Sequence, residues 1–174
     1  ISDGFEEIET VSIIDILRRS EVEVTLVAIE TIITSGAHNI KIQADTMIDK
    51  INYKDYDMVI LPGGLPNAYT LAQNSYVQKL LKDMKTSKRF IAAICAAPFA
   101  LYQAGVLNQN YTCYPGFEQK IRAQGYNEKK DVVIDKDVIT SRGPGTAILF
   151  ALEIVKILCN EDKYLQIKSE LLCK

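Results

Sequence analysis

Short apolar runs alternate with amphipathic segments along the chain, and this alternation limits the possible folds more than any other feature. Runs typical of strands lie at residues 22–29, 40–44, 58–61 and 90–94, and a hairpin is predicted at 132–134 and 138–140, around Asp135, Lys136 and Asp137. Helical periodicity marks residues 7–19, 75–84, 97–104, 146–158 and 163–172. Strands that alternate with helices predict a doubly wound α/β fold, with a parallel sheet sandwiched between helices.

The chain is long enough for one domain with its own core, and no feature suggests a second domain. It has 174 residues without a linker, an internal repeat or a low-complexity tract, so residues 1–174 are predicted to form a single domain. A helix begins almost directly after Ile1, whereas doubly wound domains begin with a strand. Ile1 is therefore interpreted as the last residue of a strand that precedes the given sequence.

The charge and hydropathy of the chain argue against several classes of function. A net charge of −2 provides no basic field that would attract nucleic acid or an anionic membrane. No apolar run approaches the roughly 20 residues of a membrane-spanning helix, and no signal peptide is visible. These features predict a cytoplasmic protein without a membrane or nucleic-acid partner.

The cysteines and the histidine restrict the chemistry that the chain can carry. The cysteines show no paired spacing, which predicts reduced thiols; they are Cys95, Cys113, Cys159 and Cys173. The single histidine, His38, and the separation of the cysteines argue against a metal site. Because His38 lies in a polar stretch, an exposed loop histidine is favoured over a catalytic base.

Cys95 is the strongest candidate for a functional residue. It ends the apolar strand predicted at residues 90–94 and is followed by two alanines and Pro98, where a helix begins. A buried structural cysteine is the ordinary interpretation of such a residue. At a turn from strand to helix, however, backbone N–H groups and the helix dipole favour the thiolate, which predicts a reactive thiol.

Three further segments carry candidate functional residues. Glu9 lies near the start of the first helix. Its carboxylate can be there because the helix dipole stabilises a negative charge, or it can point over the C-terminal edge of the sheet. Gly63 and Gly64 follow an apolar strand, either as a tight turn or as N–H donors to an oxyanion. Arg142 and Pro144 follow the hairpin. The proline opens a helix, and the arginine can hold a loop or an anionic substrate group.

Four motifs together resemble the ThiJ/PfpI superfamily, in particular its Parkinsonism-associated DJ-one branch and the bacterial members of that branch. They are Gly-Phe-Glu-Glu-Ile-Glu-Thr at 4–10, Leu-Pro-Gly-Gly at 61–64, Ala-Ala-Ile-Cys-Ala-Ala-Pro at 92–98 and Thr-Ser-Arg-Gly-Pro-Gly-Thr at 140–146. Their order and spacing match as well, and the resemblance covers nearly the whole chain. It implies a flavodoxin-like α/β fold whose first strand precedes the first motif.

The resemblance implies a role for each matching residue. Cys95 takes the place of the family's nucleophile, which is also its site of oxidation. Glu9 takes the place of a protonated glutamate that lies against the sulfur and acts as general acid and base, which requires a raised pKa. The N–H groups of Gly64 and Ala96, beside Gly63, take the place of the oxyanion and substrate-binding site.

Two positions depart from other members of the superfamily. Tyr114 stands where some members, including the human protein, carry a histidine before a proline, and a phenol is no base near neutral pH. Tyr114 is therefore expected to hydrogen-bond near the thiolate or to shape the pocket, which also includes Arg142 and Pro144. Ala96 stands where the protease-like members carry a histidine, which argues against peptidase activity.

The activity that the resemblance implies is a glyoxalase (lyase) reaction on methylglyoxal-type aldehydes without glutathione, or a deglycase (hydrolase) reaction on their adducts. No metal or organic cofactor is expected. The alternative is a redox sensor or chaperone of the oxidative-stress response, in which oxidation of Cys95 changes partner binding. The other cysteines, Cys113, Cys159 and Cys173, are interpreted as structural or incidental thiols. Among them, Cys113 has the better chance of sensing oxidants, because it is near Tyr114.

The partner that the resemblance implies is a second copy of the chain, bound through the first helix. Asp15, Arg18 and Arg19 lie on that helix. They can reach the partner's site or form a solvated helix face, and the sequence favours neither.

Overall fold

The computed structural model describes residues 1–173. Its strands are β1 (Val27–Ala28), β2 (Ile33–Ser35), β3 (Lys41–Gln43), β4 (Thr46–Met47), β5 (Met58–Leu61), β6 (Phe90–Ile94), β7 (Val132–Asp135) and β8 (Val138–Ser141). Its helices are α1 (Glu7–Arg19), α2 (Asn67–Gln73), α3 (Ser75–Thr86), α4 (Pro98–Gln103), α5 (Glu118–Ile121), α6 (Ala147–Leu158) and α7 (Glu161–Glu170). Short 3₁₀ turns lie at Ile48–Lys50, Tyr53–Asp55 and Pro144–Thr146.

The main sheet has the strand order β5-β6-β8-β7. The strands β5, β6 and β8 run parallel, whereas β7 pairs antiparallel with β8 at the edge. The predicted hairpin is therefore confirmed, and Lys136 makes its turn with a positive φ of 59°. The fold is the predicted α/β type, with a mostly parallel sheet and helices on both faces.

Strand β6 is buried on both faces, as expected of a central parallel strand. Successive side chains point to opposite faces of a sheet. Accordingly, Ala92 and Ile94 join the core formed with α1 and α6, whereas Ile91 and Ala93 join the core formed with α3 and α4. The all-apolar sequence of β6 is the consequence of having two cores to fill.

Two predicted strands differ from the structure. Of residues 22–29, only Val27–Ala28 forms a strand, which pairs with β4. Ile1 lies beside this strand: its ammonium donates to the Val27 oxygen at 2.6 Å, and its carbonyl accepts from the Ile29 N–H at 2.9 Å. This is how a residue of a parallel strand pairs. Of residues 40–44, Lys41–Gln43 form β3, but in a hairpin with β2 and not in the main sheet.

The carboxyl ends of β5, β6 and β8 meet at one edge of the sheet, where ligands bind in open α/β folds. The turn of Gly63 and Gly64 follows β5, Cys95 follows β6, and Arg142 follows β8. The start of α1 reaches the same edge, because the Glu6 N–H donates to the Gly63 oxygen at 3.1 Å. All four motifs therefore converge. Among residues 1–173, no helix is both long and apolar enough to cross a membrane.

Candidate active site

Cys95 occupies the tight turn between β6 and α4. Its φ is 64°, a left-handed conformation that a residue with a side chain adopts only at a cost of roughly 1–3 kcal/mol. Two backbone hydrogen bonds hold the turn: the Cys95 N–H donates to the Ser141 oxygen at 3.0 Å, and the Tyr114 N–H donates to the Cys95 oxygen at 2.8 Å. The residue is 8% exposed, so its thiol lies at the floor of the site.

Glu9 reaches the same place from the first turn of α1. The carboxylate of Glu6 caps this helix by accepting the Glu9 N–H at 2.7 Å. The side chain of Glu9 is fully buried, and its Oε2 accepts the Gly63 N–H at 2.8 Å. Its other oxygen, Oε1, is buried and has no hydrogen-bond partner among residues 1–173. Glu9 therefore reaches the turn after β5, at the C-terminal edge of the sheet.

Gly63 lies between the two candidate catalytic side chains. A Cβ on Gly63 would stand 2.6 Å from the Cβ of Cys95 and 2.9 Å from Oε2 of Glu9. Real Cβ atoms do not approach other atoms so closely, so this position needs a glycine. Cys95, Gly63 and Glu9 therefore form one contiguous group.

Gly64 continues this turn with a φ of 88°. Its N–H and that of Ala96 face the Cys95 sulfur, where they stabilise negative charge. A Cβ on Gly64 would lie 2.3 Å from the carbonyl oxygen of Gly4 and 2.4 Å from the Glu6 nitrogen. The turn is thus pressed against the loop that leads into α1.

Burial raises the proton affinity of both candidate catalytic groups. It raises the pKa of Glu9 to about 7, although the Gly63 N–H and Cys95 oppose the rise. Burial also raises the pKa of Cys95 above its ordinary range; the Glu9 carboxylate adds to this rise, and the Gly64 and Ala96 N–H groups oppose it. The sequence argument considered only these N–H groups and the helix dipole. The resting thiol is therefore protonated beside a carboxylate that titrates near neutral pH.

Of the three predicted pocket residues, Tyr114 donates its N–H to the Cys95 oxygen, and Arg142 directly follows Ser141, which accepts the Cys95 N–H. Tyr114 is half exposed, and its ring lies against Gly143, where a Cβ would be 3.2 Å from Cδ2 of the ring. Pro144 opens the 3₁₀ turn before α6. Arg142 lies 3.5 Å from the Asp131 carboxylate, and its buried Nε has no hydrogen-bond partner in the described part of the chain. The contact with Asp131 favours the loop-holding interpretation of Arg142.

His38 and Cys113 lie outside the group. The exposed His38 ring pairs with the Glu7 carboxylate at 2.9 Å, which agrees with a loop histidine. Cys113 is fully buried, and burial raises its pKa to about 12, so it is poorly suited to sensing oxidants. Within residues 1–173, the ligand atoms of Glu6, Glu7 and His38 approach one another within 4.8 Å. Both glutamates, however, accept backbone N–H groups, from Glu9 and His38 respectively.

On α1, the three polar residues of the predicted dimer helix make contacts within the chain. Arg19 pairs with Asp15 at 2.6 Å, one turn away, and Arg18 reaches the Asp45 carboxylate at 3.3 Å. The side chains of both ion pairs, including that of Asp45, are about half exposed.

Two residues that the sequence reasoning missed support the site. Glu6 caps α1 and holds the Gly63 oxygen through its N–H. Asn67, fully buried at the start of α2, contacts both Ser2 and the turn after β5. Asn67 is the first residue of α2 and its side chain does not cap this helix, so no capping signal marks it in the sequence.

Comparison with known proteins identifies relatives along the whole chain. Residues 1–157 match the model of the DJ-1/PfpI family. Protein DJ-1 homolog B of Arabidopsis thaliana is 35% identical over 177 residues; the match covers 100% of the chain but only 40% of that protein. The glutathione-independent glyoxalase DJR-1.2 of Caenorhabditis elegans is 36% identical, with coverage of 91% and 85%.

Solved structures agree with these matches. Drosophila melanogaster DJ-1beta superposes with a TM-score of 0.95 and 34% identity, covering 100% of the chain and 95% of that protein. An oxidised Toxoplasma gondii DJ-1 superposes with a TM-score of 0.94 and 34% identity, covering 99% and 95%.

Proposed function

The chain belongs to the DJ-1/PfpI family, and we propose that it converts methylglyoxal-type aldehydes, or their adducts, into hydroxy acids without glutathione. The observation that carries this proposal is the contiguous group of Cys95, Gly63 and Glu9, in which a thiol and a carboxylate share one buried site. The name of the Caenorhabditis elegans relative, a glutathione-independent glyoxalase, supports the same reaction.

The first step is addition of Cys95 to the aldehyde carbon. Glu9 accepts the thiol proton as the carbon–sulfur bond forms, which suits a base with a pKa of about 7. The aldehyde oxygen gains the negative charge, and the N–H groups of Gly64 and Ala96 stabilise it. Glu9 then returns the proton to this oxygen, which gives a neutral hemithioacetal.

The second step moves hydrogen between adjacent carbons. Glu9 removes the proton from the former aldehyde carbon, and a proton is returned to the former ketone carbon. The hydroxyl proton of the hemithioacetal passes to the former ketone oxygen, so that the first carbon becomes a carbonyl and the second carries the hydroxyl. The first carbon is thereby oxidised and the second reduced, so no external redox partner is needed. The product is a lactoyl thioester on Cys95. Water cleaves it to release lactate and restore the thiol.

Lactate formation from methylglyoxal in glutathione-free buffer tests this function. We expect turnover by the wild type and loss of at least about 100-fold in Cys95→Ala, since the covalent step disappears. Cys159→Ala is the matched control, because Cys159 is an exposed thiol away from the site. Full turnover in Cys95→Ala, or none in the wild type, would contradict the proposal.

A second candidate function is redox sensing, with or without chaperone activity. The solved Toxoplasma gondii relative in an oxidised form supports it, as do the N–H groups that could hold the oxygens of an oxidised Cys95. Peptide mass spectrometry after mild peroxide distinguishes the candidates. Selective oxidation of Cys95 combined with negligible lactate formation would favour the sensor.

We further propose a homodimer that forms through α1. Ile8 and Val11 on this helix are 58% and 49% exposed, which is high for apolar side chains in a helix that also faces the core. A groove of about 320 Å³ beside Val11 is lined partly by Leu26 and Ile42. We also propose that residues 1–174 form a single domain and that the protein works in a reducing, cytoplasmic setting. The free thiols support the reducing setting.

A further inference from the structure

Asn67 makes four hydrogen bonds from a fully buried carboxamide. Its Oδ1 accepts the Ser2 N–H at 2.8 Å and the Ser2 hydroxyl at 3.1 Å. Its Nδ2 donates to the carbonyl oxygens of Pro62 and Gly63, both at 2.9 Å. Both N–H groups of the Asn67 carboxamide therefore donate to carbonyl oxygens of the turn after β5.

The two carbonyls that Asn67 holds belong to the two peptide groups that serve the site. A peptide group is planar, and in the trans form its C=O and N–H point in opposite directions. The Pro62 carbonyl shares its plane with the Gly63 N–H, which binds Glu9 at 2.8 Å. The Gly63 carbonyl shares its plane with the Gly64 N–H, which faces the Cys95 sulfur.

Two glycines give this turn wide backbone freedom, so contacts with its carbonyls fix the peptide planes. The Glu6 N–H shares the Gly63 carbonyl at 3.1 Å, but Asn67 holds both carbonyls. A rotation of either peptide plane would point an N–H away from the site and a carbonyl oxygen toward it. A carbonyl oxygen there would repel the carboxylate of Glu9 or the oxyanion formed on the substrate.

We propose that Asn67 is a positioning residue that directs the Gly63 N–H at Glu9 and the Gly64 N–H at the Cys95 sulfur. It touches neither sulfur nor substrate and acts only through the two peptide groups. The inference rests on the proposed function in taking Cys95 and Glu9 as the reacting pair. The geometry that carries it, however, is independent of the substrate.

Alkylation of Cys95 by iodoacetamide as a function of pH tests the proposal without any turnover. Peptide mass spectrometry follows Cys95 separately from the other thiols. In Asn67→Ala we expect the alkylation profile of Cys95 to shift upward by about one pH unit, since a hydrogen bond to the thiolate is weakened. Ser2→Ala is the matched control: it removes a buried hydrogen bond to the same side chain but keeps both donations to the turn.

Lactate formation provides a second readout. If the wild type turns over methylglyoxal, Asn67→Ala should lower kcat by about tenfold or more with little change in KM, because the oxyanion donor acts in the transition state. A wild type without turnover would refute the glyoxalase function and leave the alkylation shift as the test of Asn67.

The result that overturns the proposal is a folded Asn67→Ala protein whose Cys95 alkylates with the wild-type pH profile. Circular dichroism establishes whether the variant is folded. If the variant does not fold, NMR couplings across the hydrogen bonds of the isotope-labelled wild-type protein provide the test instead. Couplings between the Asn67 side-chain nitrogen and the carbonyl carbons of Pro62 and Gly63 are expected, and their absence would also overturn the proposal.

Discussion

Gly64 faces Gly4 so closely that a Cβ on Gly64 would lie 2.3 Å from the Gly4 carbonyl oxygen. Gly64→Ala must therefore move the turn and displace its N–H from the Cys95 sulfur. We expect at least about a 100-fold loss of kcat for lactate formation, the effect of removing one oxyanion donor.

Gly105→Ala is the control for the strain of a positive φ alone. Gly105 has a φ of 72°, but a Cβ there would meet no atom within 4 Å. The left-handed conformation alone should cost each variant about 1–2 kcal/mol of stability, and Gly64→Ala should lose more in urea unfolding because its Cβ also meets backbone atoms. Only Gly64→Ala should lose activity. Equal activity in the two variants would show that the close approach at Gly64 is unimportant.

Cys113 should resist alkylation in the folded protein, whereas Cys159 should react readily. Cys113 is fully buried and its pKa is raised to about 12, but Cys159 is exposed. Timed treatment with iodoacetamide at pH 8, followed by peptide mass spectrometry, compares the two thiols directly. Alkylation of Cys113 as fast as that of Cys159 would mean that the core around Cys113 opens easily.

His38 should prove dispensable for turnover but useful for stability at mildly acidic pH. We expect His38→Ala to form lactate at a rate within about twofold of wild type, because the ring is exposed and bound to Glu7. A large loss of activity would instead identify His38 as a base.

The stability effect of His38 should depend on pH. The hydrogen bond and charge of Glu7 raise the pKa of His38, so its stabilisation is complete below about pH 6.5 and lost as pH rises through the raised value. Burial raises the pKa of Glu7, but hydrogen bonds from His38 outweigh this effect and lower the pKa. The stabilisation from the Glu7 carboxylate is therefore lost only in stronger acid. The Tm difference between wild type and His38→Ala should be largest at about pH 5–6 and shrink toward alkaline pH. A constant difference would contradict the ion pair.

The proposed dimer predicts that a charge on the exposed side of α1 produces monomers. Val11→Glu places a carboxylate on the apolar patch, and sedimentation velocity measures the result. Tyr76→Glu is the control, because Tyr76 is 56% exposed on α3, which packs on the opposite face of the sheet. A dimer that persists in Val11→Glu would rule out this interface.

The sequence predicted the elements that have local signals. Helix α1 and strands β5 and β6 have the predicted bounds, because an amphipathic stripe or an apolar run marks each one. Residues 22–29 carry the same apolar signal, but a strand also requires a partner, and only Val27–Ala28 pair. Helix α2, which begins at Asn67, was not predicted, because its sequence carries no clear stripe of apolar residues.

The sequence predicted which residues form the site, but it did not predict the protonation states of Cys95 and Glu9. The four motifs placed Cys95, Glu9 and the glycine turn at one edge of the sheet, as the structure has them. The pKa of Cys95, by contrast, depends on how deeply the thiol is buried and on the charge of Glu9, both of which are tertiary properties. Asn67 acts through peptide planes, which no sequence pattern reveals.

The pH dependence of kcat/KM in wild type and Glu9→Gln tests the central claim, that Glu9 is the base for Cys95. Because the pKa of Glu9 is about 7 and its carboxylate must accept the thiol proton, wild-type kcat/KM for methylglyoxal should fall about tenfold per pH unit below pH 7. Glu9→Gln should be much slower and should lack this acidic limb. A Glu9→Gln enzyme with the wild-type rate, or with the same limb near pH 7, would contradict the account.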